Sequence, residues 1–147
     1  MTESYSDDLL RRILTNTKTI AMVGASANPA RPSNGVMRFL QSRGYRVIPV
    51  NPNLASPTLN SERGYKKLAD INEPVDMVDV FRNSQTAGAV ADEAIAIGAR
   101  FLWMQLGVVN EAGTARARKA GLTVIMNRCP AIEIPRLFGG AGEDQVP

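Results

Sequence analysis

Five short apolar runs, separated by helical patterns that close on glycine, constrain this chain more than any other feature. The runs are TIAMVGA (19–25), RVIPVN (46–51), VDMVDVF (75–81), RFLWMQL (100–106) and LTVIMN (122–127). Short, nearly continuous apolar segments suit parallel strands buried on both faces. Between them, residues 32–43 read as a helix with Val36, Met37, Phe39 and Leu40 inward, closed by Gly44. Residues 86–98 place Val90, Ala94 and Ile97 on one side and stop at Gly98, and residues 110–121 stop at Gly121. Strand, helix, glycine, strand, repeated, is the signature of an α/β domain: a doubly wound parallel sheet in three layers. A leading helix is expected over 5–15, from Leu9, Leu10, Ile13 and Leu14, with acids before arginines as the helix dipole favours. The core is expected over about 17–137, with a flexible tail at 139–147.

The expected strand order is 2-1-3-4-5. Pro49 cannot donate to a ladder, which puts the second strand near an edge. Residues 52–74 read as loop, with KKLADI as one helical turn or a short edge strand. Met22, Met37, Met77, Met104, Met126 and Trp103 fall in apolar patterns and read as core. Asp76 and Asp79 are three apart on a strand and point to opposite faces, so they form no carboxylate pair; Asp79 reads as a structural cap or pair. Arg116, Arg118 and Lys119 read as a solvated helix face.

Composition narrows the chemistry. The chain has 147 residues, enough for one domain with a core, and a net charge of +3, too mild and too scattered to argue for nucleic acid. No apolar run reaches the roughly 18–20 residues of a membrane span. The polar, acidic start MTESYSDDLLRR does not resemble a signal peptide, and a single cysteine, Cys129, forbids an internal disulfide; the expected setting is the cytoplasm. The chain contains no histidine, which removes Ser-His-Asp and Cys-His catalysis and imidazole zinc sites.

Sheets of this kind bind ligands beyond the carboxyl ends of their strands, where the winding direction reverses. Those ends are Gly24-Ala25-Ser26, Asn51-Pro52, Phe81-Arg82 and Gln105-Leu106-Gly107. In VGASANPARPSNG (23–35), Gly24 permits close approach, Ser26, Ser33 and Asn34 offer hydrogen bonds near a helix start, and Arg31 brings a planar fork suited to phosphate. A plain strand-to-helix connection with a surface arginine fits the turn equally well. The spacing is not G-x-G-x-x-G, and PVNPN after the second strand lacks the acid that takes a ribose diol, which disfavours NAD; Asn51 offers one such hydrogen bond. Phe81 with Arg82 can flank a base or a phosphate, and Gln105 sits at a strand end where an amide meets a ligand or is satisfied internally. Cys129 reads as a partly buried, unreactive thiol, with a mixed disulfide to a thiol ligand as the alternative.

VGAS (23–26), NPARPS (28–33), GYRVIPVNP (44–52), PVDMVDVFR (74–82), AIAIGA (94–99), LWMQLGVVN (102–110) and NRCPAIE (127–133) together resemble the small CoA-binding protein family, relatives of the CoA-binding domain of the succinyl-CoA synthetase alpha subunit. The resemblance spans about residues 19–137. It implies a Rossmann-type fold and a CoA or acyl-CoA ligand, with the pyrophosphate at VGAS and the PVNP and VFR segments beside the nucleotide. Arg31, Lys66 and Lys67 are then the candidates for the CoA 3′-phosphate. The synthetase's phosphorylated histidine has no counterpart here, so ligase activity is not implied. The expected function is binding without catalysis, as a carrier, sensor or regulator, with a protein partner or a second copy possible. The alternative is an enzyme, an acyl-CoA transferase or ligase subunit or a nicotinamide oxidoreductase, which needs Cys129, Asp79 or Lys66 in the pocket. Gly24→Val is expected to block CoA while leaving the fold intact.

Overall fold

The computed structural model describes residues 4–139. The central sheet comprises β1 (Thr19–Val23), β2 (Arg46–Val50), β5 (Met77–Val80), β6 (Phe101–Met104) and β7 (Thr123–Ile125). All pair in parallel, in the order β2-β1-β5-β6-β7, the order expected from the sequence. Pro49 lies on β2 at the edge, where its missing N–H faces no strand; its carbonyl accepts from the amide of Tyr65.

Helices α1 (Asp7–Thr15), α2 (Pro32–Ser42), α3 (Ser84–Ala96), α4 (Glu111–Lys119) and α5 (Pro130–Phe138) cover the two faces. On one face, Ala21, Val23, Val78, Val80, Leu102, Met104 and Val124 pack with Ala87, Ala91 and Ala94 of α3 and Ala117 of α4. On the other, Ile20, Met22, Met77, Trp103 and Ile125 meet Leu10, Ile13 and Leu14 of α1, Met37 and Leu40 of α2, and Ile134 and Leu137 of α5. The result is the three-layer Rossmann-like α/β sandwich of one small domain. The methionines read as core are buried, as is Trp103, whose indole N–H donates to the carbonyl of Arg128 at 2.9 Å.

The segment after β2 holds more order than a loop. A two-stranded hairpin, β3 (Thr58–Leu59) and β4 (Glu62–Arg63), turns at Asn60 and Ser61, both at positive φ (49° and 68°), followed by a 3-10 turn at Leu68–Asp70. Helix α5 falls in a stretch that the sequence patterns leave unassigned, and it holds two prolines, Pro130 and Pro135. Pro130 occupies the first helical position, where a missing N–H costs nothing. Apart from Gly139, the expected tail at 139–147 lies outside the described residues.

Candidate functional site

The carboxyl ends of β1, β5 and β6 and the start of α2 enclose a cavity of about 710 Å³. It opens between β1 and β5, the point where successive connections leave for opposite halves of the sheet. Eight of the anticipated residues line it: Gly24, Ser26, Arg31, Ser33, Asn51, Phe81, Arg82 and Gln105.

Gly24 has φ +93°, and a Cβ there would lie 2.1 Å from the carbonyl oxygen of Phe81 on β5. Its amide donates to Val50 of β2, so the residue is wedged between two strands. This corrects the expectation for Gly24→Val: the glycine is required by the fold itself, before any ligand arrives.

Two asparagines hold the turn that follows. Asn51 Nδ2 donates to the carbonyl of Ala25 at 2.9 Å, and its Oδ1 accepts from the amide of Asn53. Asn34, 4% exposed in the first turn of α2, donates through Nδ2 to the carbonyl of Ser26 at 2.9 Å. The Asn51 amide thus braces the turn while the residue also lines the cavity. Ser26 Oγ accepts from the amide of Asn28, and Asn28 Oδ1 from that of Ala30. No side chain caps α2, whose preceding residue is Arg31 and whose first is Pro32. A helix start left open in this way favours an anion. Among the described residues, neither the Arg31 nor the Arg82 guanidinium has an ion-pair or hydrogen-bond partner.

The far side is less polar. Phe81, Val108 and Leu106 line it, and Leu106 is 57% exposed. Gln105 lies between them, 8% exposed, with its Oε1 buried and unpartnered. Its backbone is fixed: its amide donates to Val80, its carbonyl accepts from Val108, and Gly107, at φ +86° in the same tight turn, donates to Asn127 Oδ1 at 2.7 Å.

Four anticipated residues stay outside the lining. Ala25 is buried in the α1–α2–α5 core, Asn34 stands behind the turn, and Pro52 and Gly107 are exposed beside the cavity rather than in it. Lys66 borders a separate, smaller hollow with Leu54, Pro57 and Tyr65, and Lys67 borders neither; of the three 3′-phosphate candidates only Arg31 is in the main cavity. Sequence reasoning missed Pro32, Asn53, Asn83, Leu106 and Val108 as lining residues. Asn83 carried a signal: its Oδ1 accepts from the amide of Thr86, so Asn-x-x-Thr marks the true start of α3.

None of the three groups an enzyme reading needs lines the cavity. Cys129 is 7% exposed at the start of α5. Asp79 is fully buried between Met22 and Trp103, with both carboxylate oxygens unpartnered, and burial pushes its carboxyl up to about 8. This corrects the expectation that Asp79 caps or pairs. Asp76 precedes β5, accepts from the amides of Lys18 and Thr19 at 3.0 Å each, and meets Arg100. On the helix face read as solvated, Arg116 pairs with Asp92 at 2.8 Å and Arg118 donates to the carbonyl of Val124.

A CoA-binding domain family model matches residues 18–135, and this chain belongs to that family. The protein YneT of Bacillus subtilis (strain 168) is 38% identical over 123 residues, covering 82% of this chain and 87% of YneT. A hypothetical protein from Pyrococcus horikoshii OT3 superposes with a TM-score of 0.87 at 35% identity, over 95% of this chain and all of that one. The acetyl-coenzyme A synthetase 1 of Ca. Korarchaeum cryptofilum, in its apo form, matches with a TM-score of 0.65 at 27% identity, over 78% of this chain but only 27% of the synthetase. Among the described residues no helix is long and apolar enough to cross a membrane.

Proposed function

We propose that this protein binds coenzyme A or an acyl-CoA in the cavity at the carboxyl ends of its strands, as a carrier, sensor or regulatory protein without catalysis of its own. The observation that carries the reading is the cavity itself: a switch-point cleft, in a chain of the CoA-binding domain family, with cationic and hydroxyl groups on one side and an apolar wall on the other. Ser26, Ser33, Arg31 and the open start of α2 suit the pyrophosphate, and Arg82 with Phe81 suits the nucleotide. Gln105, Leu106 and Val108 suit the longer, less polar arm. The volume falls within the range of small-molecule sites. With no acid at the end of β2, the NAD manner of holding a ribose diol is disfavoured. The absence of Asp79, Cys129 and Lys66 from the lining supports binding over catalysis. A single buried cysteine suits a cytoplasmic setting.

The test is a thermal melt with CoA and with acetyl-CoA, followed by chromatography of the recovered ligand. A ligand at about one hundred times its Kd adds roughly 2.7 kcal/mol of stability. The expected result is a raised Tm with both ligands and acetyl-CoA recovered intact. An unshifted Tm counts against binding, and turnover of the thioester counts against the non-catalytic role.

A further inference from the structure

We infer that Asn34 and Asn51 are positioning residues that turn a loop with a single glycine into an anion cradle, by pinning two successive carbonyls so that the amides of Ser26 and Ala27 are left for the ligand. The inference rests on the reading that the cavity takes a phosphorylated ligand. In a planar trans peptide the carbonyl of one residue and the N–H of the next point in opposite directions, and the described chain holds no cis peptide. Asn51, reaching from the end of β2, fixes the carbonyl of Ala25 and with it the N–H of Ser26. Asn34, reaching back from α2, fixes the carbonyl of Ser26 and with it the N–H of Ala27.

The hydrogen bonds around the turn are consistent with this division of labour. The amides of Gly24, Asn28, Ala30 and Arg31 all donate within the chain. Those of Ala25, Ser26 and Ala27 have no acceptor among the described residues, and Ser26 of the three lines the cavity. Successive amides left in this way form a concave anion site, the arrangement that glycine-rich loops reach through backbone freedom. Here the same result comes from side-chain bracing, so the missing glycines are not needed. A separate residue of the same cavity lining, Gln105, is more than nine-tenths buried and has an unpartnered Oε1.

The test uses the full chain, labelled with nitrogen-15, titrated with inorganic pyrophosphate and with CoA, as wild type, Asn34→Leu and Asn51→Ala. Asn34→Leu keeps the branching of the buried side chain but removes its bond to the Ser26 carbonyl, so a purely structural role predicts a lowered Tm with unchanged affinity in the folded protein. The cradle predicts that the Ser26 and Ala27 amide resonances move with both ligands in the wild type. It predicts about tenfold weaker binding of both ligands in each variant, with the Gln105 amide still responding to saturating CoA. Binding of CoA with Ser26 and Ala27 unmoved overturns the inference, as does wild-type affinity in either folded variant. If one variant does not fold, the other and the wild-type resonances decide. If pyrophosphate moves these amides and CoA does not bind, the cradle stands and the CoA reading falls. If neither ligand binds, both fall.

Discussion

At position 24 the contact with Phe81 and the positive φ act together, and neither is relieved by moving a side chain, because the obstacle is backbone. Gly24→Ala is therefore expected to lose several kcal/mol of stability, on the order of the worst core substitutions. A urea titration showing a wild-type midpoint would contradict this account of the turn. Asp79 makes the opposite case, a residue whose replacement should help. Its folded carboxyl holds a proton up to about pH 8, whereas a carboxyl of the unfolded chain releases it near 3.8. The folded state thus binds the proton more tightly between these values. Wild-type stability is fullest below about pH 4 and falls as the pH rises towards 8. Asp79→Asn should flatten that decline, matching the wild type near pH 4 and exceeding it by on the order of 1–3 kcal/mol near pH 8. Melts across that range check it; a wild-type slope retained in the variant would place the titrating group elsewhere.

Helices α3 and α4 lean on each other through small residues, and one asparagine ties them. A Cβ on Gly113 would meet the Cα of Gly88 at 2.9 Å, so the two backbones are in near contact. Asn110 accepts from the amide of Gly113 at 2.8 Å, capping α4, and donates to the carbonyl of Ser84 at 2.8 Å, at the start of α3. The Arg116–Asp92 pair bridges the same helices, but both side chains are about half exposed (49% and 54%). Asn110→Ala is expected to cost about 1–2 kcal/mol and Asp92→Ala under about 1 kcal/mol. Denaturant midpoints that reverse this ranking would show that the surface pair, not the cap, joins the helices. The element scale is also where the sequence is most legible. Runs rich in Val, Ile, Leu and Met, closed by glycine, allow only strand and helix in alternation, and Pro49 placed β2 at the edge. Helix α5 escaped because a proline at a helix start and a proline that ends one look alike in sequence. The hairpin β3–β4 escaped because two-residue strands carry no readable period.

For the whole molecule, strand order fixes where a ligand goes, and the position of the cleft was legible before any geometry. The roles within it were less so. Gly24 was read through the ligand when the neighbouring strand already requires it, and the reading of Asn51 as a ligand contact missed the bracing bond its amide makes from β2 to the turn. Both depend on how closely β1, β2 and β5 approach, a distance that linear spacing does not carry. Lys66 and Lys67 were drawn in by charge alone, whereas the hairpin carries them away from the cavity.

The most direct measurement of the central claim is calorimetric titration of the ligand-stripped protein with CoA, acetyl-CoA, NAD and ADP under one set of conditions. The account predicts saturable one-to-one binding of CoA and acetyl-CoA, weaker binding of ADP, which shares only the nucleotide end, and little response to NAD. Binding of NAD with none of CoA would contradict it, leaving the fold as described and the cleft assigned to the wrong nucleotide.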